Sequence, residues 1–189
     1  MVDKNTLRQV YLEKRLFLSR EEYLRRNTLL LHQLLNYVDF KAVSCLHTFL
    51  SIVEKNEVDT VSIIDAVKAV NPEINIGICK TLSQGELAHF ILNAKTVIEK
   101  NKWGIPEPVQ GETLDIDKID LVLVPLISFD KSGHRIGYGK GFYDRFLKKI
   151  PQAQKIGLAL TPPLDVIQYA DELDVKLDAC VTPFGVYEF

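Results

Sequence analysis

Near the N-terminus, apolar positions recur at helical spacing. Leu7, Val10, Tyr11, Phe17 and Leu18 outline the apolar side of a first helix, with Lys4, Arg8 and Arg15 on its solvent-facing surface. Ser19 followed by Glu22 has the form of a capping box and predicts that one helix stops and another starts there. Leu29, Leu30, Leu31, Leu34 and Leu35 carry the second helix. Beyond residue 40 the pattern changes to short apolar runs. Residues 42–50, 74–79, 87–92, 121–127, 155–160 and 179–182 read as strands, and 60–70 and 141–149 as helices. The run at 121–127, LVLVPLI, is apolar at every position, as a central strand covered on both faces must be. Strands alternating with helices predict an α/β fold: a single layered domain over 1–189 with a mostly parallel central sheet flanked by helices, two of them N-terminal. Residues 101–117, with Gly104, Pro106, Pro108 and Gly111, read as a loop within that domain.

Composition narrows the class. A chain of 189 residues, 47% hydrophobic and 25% charged, suits one globular domain and excludes disordered and collagenous classes. A net charge of −2 argues against a protein that binds nucleic acid by bulk charge. No apolar stretch approaches the ~20 residues of a membrane span, and the N-terminus turns charged too soon for a signal peptide. The three cysteines are far apart and lack disulfide or zinc spacing, so each reads as a buried thiol. The expectation is a cytoplasmic monomer whose partners are small molecules, with neither nucleic acid nor membrane among them.

The distribution of charge is more telling than its sum. Gly133, Gly137, Gly139 and Gly141 fall between the strongest strand and a helix, where open α/β sheets bind ligands. Glycines there let backbone N–H groups approach a ligand, and the helix N-terminus favours phosphate. Residues 131–149 hold six bases (Lys131, Arg135, Lys140, Arg145, Lys148 and Lys149) against the single acid Asp144. Acids gather instead in 163–189, where Asp165, Asp171, Glu172, Asp174, Asp178 and Glu188 face only Lys176. A focused positive loop in an acidic chain points to an anionic ligand. For Asp144 three readings stand: a partner of the helix dipole, an ion pair with Lys148, or a magnesium ligand beside polyphosphate.

The run from Val124, VPLISFDKSGHRIGYGKGFYDRFL, resembles the signature of the 5-formyltetrahydrofolate cyclo-ligase family. The resemblance covers Phe129, Asp130, Gly133, Arg135, Ile136, Gly137, Gly139, Gly141, Phe142, Tyr143 and Asp144. It extends to Lys4-x-x-Leu7-Arg8, to Phe49-Leu50-Ser51 with Glu57-Val58-Asp59-Thr60, to Trp103-Gly104-Ile105-Pro106-Glu107-Pro108, and to Asp174-Val175-Lys176-Leu177-Asp178. Phe142 stands where Tyr is usual, and Pro183 where many members carry Glu.

What the resemblance implies is ATP- and magnesium-dependent conversion of 5-formyltetrahydrofolate to 5,10-methenyltetrahydrofolate, releasing ADP and phosphate. It further implies an ATP site of Lys4, Arg8, Arg135, Ile136, Gly137, Tyr138, Gly139, Lys140, Gly141, Phe142 and Tyr143, with Arg135 and Lys140 acting in catalysis. Leu50, Glu57, Trp103 and Tyr143 are the implied folate contacts, and Asp144 and Asp174 the implied Mg2+ ligands. The alternative, suggested by the glycine-rich basic loop alone, is a non-catalytic regulatory domain that binds a sugar phosphate or nucleotide.

Overall fold

The computed structural model describes residues 3–167 and 174–189. Two helices open the chain, α1 (Lys4–Leu16) and α2 (Arg20–Tyr37). They are followed by β1 (Cys45–His47), α3 (Thr60–Val70), β2 (Asn75–Thr81) and β3 (Leu87–Ile91). A hairpin of β4 (Val97–Lys100) and β5 (Pro106–Gln110) leads to β6 (Leu121–Pro125). The short pair β7 (Ser128–Phe129) and β8 (Arg135–Ile136) precedes α4 (Phe142–Lys149), and β9 (Gln154–Leu158), β10 (Ala179–Thr182) and β11 (Gly185–Glu188) complete the fold.

Seven strands form the main sheet in the order β11-β10-β9-β6-β1-β2-β3. The five inner strands are parallel, and β11 and β3 close the edges antiparallel. The fold is therefore the α/β class read from the strand pattern. In β6 the pleat sends alternate side chains to opposite faces. Leu121 and Leu123 enter the core under α2 and α3 with Leu30, Leu34, Ile63 and Val67, whereas Val122 and Val124 pack against Phe146 and Leu147 of α4. These four side chains are buried, and each contributes roughly 1.5–3 kcal/mol relative to exposure.

Several boundaries differ from expectation for local reasons. The strand expected over 42–50 ends at His47, because Phe49 and Leu50 leave the sheet to line a cavity. The loop expected over 101–117 contains β5, which pairs with β4 through Lys100↔Pro106 and Ile98↔Pro108. Prolines are tolerated there because a two-stranded hairpin has two free edges. Its turn is held by Asn101, whose Oδ1 accepts from the backbone N–H groups of Trp103 and Ile105 at 2.9 and 3.1 Å. The strand at 179–182 is followed by β11 rather than being last. On α1, Phe17 is 87% exposed at the C-cap, whereas Arg15, expected on the surface, is 5% exposed. The Ser19 cap is present: its side chain accepts from the Glu22 N–H.

Candidate active site

β1 continues through α3 to β2 on one side, while β6 lies on its other side, so the strand order reverses between β1 and β6. Chain segments leaving neighbouring strands diverge at such a point and open a crevice at their carboxyl ends. Here the crevice is a cavity of about 780 Å³, within the range of small-molecule sites. Phe49, Leu50 and Ile52 enter it after β1, Cys79 and Thr81 from β2, and Pro125 from β6. The glycine-rich turn between β8 and α4 forms a wall, with Lys4 and Arg8 of α1 beside it.

Every ATP, folate and magnesium site residue that the family resemblance implies reaches this one cavity. On the glycine side stand Lys4, Arg8, Arg135, Ile136, Gly137, Tyr138, Gly139, Lys140, Gly141 and Phe142, together with Asp144 and Asp174. Toward the β2 and hairpin side stand Leu50, Glu57, Trp103 and Tyr143. Residues up to 170 positions apart are thus gathered by the crossover topology, with Lys4 paired to Asp174. Arg8 lies against the turn, its Nε donating to the Gly137 carbonyl at 2.8 Å. Gly139 has φ +81°, and an added Cβ would lie 3.0 Å from the Arg8 guanidinium, so the close approach requires glycine. The α4 N-cap, Gly141, has no side-chain capping bond, which leaves first-turn N–H groups for a ligand.

The charged groups are arranged in pairs. Arg135 Nη2 donates to Asp144 Oδ1 at 2.6 Å, while Nη1 donates to the Val175 carbonyl. The Val175 N–H also donates to Asp144 Oδ1, at 3.1 Å, tying the turn of α4 to the segment that carries Asp174. Of the three readings open for Asp144, the pair with Lys148 is therefore not the one formed. Phosphate oxygens and a divalent cation could replace these partners without leaving either sign uncompensated.

Sequence reasoning missed several cavity residues. Glu107 is buried on β5, and its Oε1 accepts from the Thr81 backbone N–H at 2.9 Å and from the Thr81 hydroxyl. It lay inside the quoted Trp103 motif, which was the available signal. Cys79 was expected to be plain core but reaches the cavity, 3.7 Å from the Tyr143 hydroxyl. Burial pushes its thiol up to about 11 and the Tyr143 phenol well above 10, so both remain protonated near neutrality. Asp130 is a motif residue with a fold role: it is fully buried and accepts from the N–H groups of Ser132, His134 and Ile167.

The profile of the 5-formyltetrahydrofolate cyclo-ligase family matches residues 1–183. The chain belongs to this family. The cyclo-ligase of Mycoplasma pneumoniae is 32% identical over 190 residues, covering 95% of this chain and 98% of that protein. The cyclo-ligase of Escherichia coli K12 is 29% identical over 137 residues, covering 70% of this chain and 75% of that one. A solved structure described as a 5,10-methenyltetrahydrofolate synthetase from Mycoplasma pneumoniae matches with a TM-score of 0.73 at 27% identity, over 96% of this chain and 99% of that chain. The Aquifex aeolicus 5,10-methenyltetrahydrofolate synthetase matches with a TM-score of 0.76 at 29% identity, over 98% and 92% of the two chains. Family and relatives indicate 5-formyltetrahydrofolate cyclo-ligase activity, and the protein is a ligase. Among the described residues of this cyclo-ligase, no helix is long and apolar enough to cross a membrane.

Proposed function

We propose that this cyclo-ligase closes the ring of 5-formyltetrahydrofolate to 5,10-methenyltetrahydrofolate at the expense of ATP, with magnesium bound beside the triphosphate. The observation that carries the reading is that one cavity joins a glycine-rich basic turn to a pocket lined by Glu57, Trp103 and Tyr143. The chemistry explains why both halves are needed. A formamide carbonyl is a poor electrophile, and its oxygen leaves poorly. Transfer of the γ-phosphoryl group to that oxygen gives an iminium phosphate; N10 then attacks the formyl carbon, loses its proton, and phosphate departs. The protein's work is alignment of two ligands and neutralisation of phosphoryl charge.

In this reading the backbone of the 137–141 turn, with Lys140 and Arg135, receives the triphosphate, and Lys4 and Arg8 reach it from α1. Glu57 accepts N–H donors of the pterin, and Leu50, Trp103 and Tyr143 enclose the ring system. The donor set suits magnesium: Asp144 and Asp174 are hard oxygen ligands that line the same cavity as Lys140. Among the described residues there is no cluster of three or more His, Cys, Asp or Glu able to enclose a metal, so phosphate and water would complete a shell of the kind magnesium prefers. Such an ion would neutralise charge as it develops on the transferred group. The test is incubation with 5-formyltetrahydrofolate, ATP and magnesium while methenyl absorbance is followed. An ATP-dependent rise is expected; its absence overturns the assignment.

A further inference from the structure

Behind the cavity wall a polar network joins Glu57 and Tyr138 to Arg15, a residue that phosphate and folate binding, as described, leave unused. Arg15 is buried at the end of α1 and is not among the residues lining the large cavity. Its Nη2 donates to the Tyr138 hydroxyl at 2.5 Å, and its Nη1 to the Leu126 carbonyl at 3.3 Å. The Tyr138 hydroxyl donates to Glu57 Oε1, which lies 3.9 Å from Arg15 Nη2. Glu57 Oε2 accepts the Ile52 N–H at 2.7 Å. The Arg15 Nε–H has no partner among the described residues, and Arg15 and Glu57 both border a small cavity of about 10 Å³, the size that admits one water.

We propose that Arg15 is a positioning residue for folate: acting through the Tyr138 hydroxyl, it holds the Glu57 carboxylate in the orientation that receives the substrate. This rests on the reading of Glu57 as the pterin acceptor. Glu57 is only 4% exposed, so its charge needs compensation, and among the described residues Arg15 forms the ion pair with it. A carboxylate offers about four acceptor sites. Tyr138 and Ile52 each occupy one, fixing the plane of the group while leaving capacity for ligand N–H groups. Burial first, and Glu57 next, raise the Tyr138 phenol, so it stays a donor. The Tyr138 side chain thereby serves the folate half of the cavity although its backbone belongs to the glycine turn. The same helix carries Lys4 and Arg8 at its other end, so a single element supports both halves.

The test compares KM for 5-formyltetrahydrofolate and for ATP, with thermal melting, in Glu57→Gln, Tyr138→Phe, Arg15→Met and the Arg15→Met/Tyr138→Phe pair. Tyr138→Phe keeps the ring and removes only the hydroxyl. It is expected to raise the folate KM about tenfold while leaving the ATP KM within twofold. Arg15→Met, which keeps much of the stem, should raise the folate KM similarly, and the pair should do no more than either alone, because the two act in series. An unchanged folate KM in Glu57→Gln would overturn the underlying reading of Glu57. A raised folate KM in Glu57→Gln with unchanged values in Tyr138→Phe and Arg15→Met would leave that reading standing and overturn the positioning role. Multiplying effects in the pair would overturn the relay through Tyr138. Should Arg15→Met not fold, Tyr138→Phe decides alone.

Discussion

Arg135 and Asp144 hold each other: the guanidinium donates to the carboxylate at 2.6 Å across the mouth of the glycine turn. The proposed phosphate-binding cation and the proposed magnesium ligand therefore form one unit, braced on the Val175 backbone. In Asp144→Asn the amide oxygen can still accept from Arg135, so the fold should survive with a loss of roughly 1–2 kcal/mol for the weakened charge-assisted bond. The magnesium concentration for half-maximal rate should rise at least tenfold. A titration of rate against magnesium at fixed ATP checks this, and a wild-type profile would remove Asp144 from the metal site.

Lys140 lines the cavity from the tip of the turn, and its side chain is exposed. Lys140→Ala should raise the KM for ATP about tenfold, worth roughly 1.4 kcal/mol, and leave the folate KM and the melting temperature nearly unchanged. Initial-rate kinetics with each substrate varied separate the two. A change confined to the folate KM would place Lys140 in the wrong half of the site.

The left-handed backbone at Gly139 sets a third expectation. In Gly139→Ala the new methyl must tolerate φ +81° and press on the Arg8 guanidinium 3.0 Å away. The backbone penalty is about 1–2 kcal/mol, seen as a lower urea midpoint. Displacement of Arg8 should raise the ATP KM severalfold as well. Full stability with wild-type kinetics would mean that the turn does not need glycine there.

His47 and His89 meet edge-on under α4 with their ring nitrogens 3.0 Å apart and Phe146 against both rings. Burial holds His47 well below its ordinary value; burial first and Lys149 next, against Glu86, bring His89 to about 4. The unfolded chain takes up these protons near pH 6.5 whereas the folded chain resists them. Stability from the neutral pair is thus fully present above about pH 6.5 and declines toward pH 4, by at most about 1.4 kcal/mol per pH unit for each histidine. Urea unfolding between pH 8 and pH 4 measures the slope. His89→Gln should flatten it, and an unaltered slope would assign acid sensitivity elsewhere.

Trp103, the only tryptophan, sits at the tip of the β4–β5 hairpin, lines the cavity, and is 62% exposed. Bound folate should cover the indole, so titration with 5-formyltetrahydrofolate is expected to quench and shift its emission, saturating at one equivalent. Emission indifferent to folate would remove Trp103 from the binding surface.

Local pattern was sufficient for much of the fold. The helix expected over 60–70 is α3, and the Ser19–Glu22 cap separates α1 from α2 as its spacing required. The α/β class followed from the apolar strands, because a strand covered on both faces has no polar side to display. The β4–β5 hairpin escaped notice because prolines and glycines weaken a strand's local signal, while pairing in the hairpin is a matter of partner and register. Arg15 escaped for a related reason: helical spacing identifies an apolar side but not whether a buried carboxylate awaits a cation.

By itself the sequence determined the family, the glycine turn and the types of residue around it, since these reside in order and spacing. A net charge of −2 concealed the basic 131–149 segment, which the charge order made visible. Only the tertiary structure decided which charges meet. Lys4 pairs with Asp174, Arg135 with Asp144, and Arg15 reaches Glu57 through Tyr138. These are long-range contacts produced by parallel crossovers and the reversal of strand order between β1 and β6. Coulombic and hydrogen-bond partnership depends on distance in space, and no period along the chain encodes it.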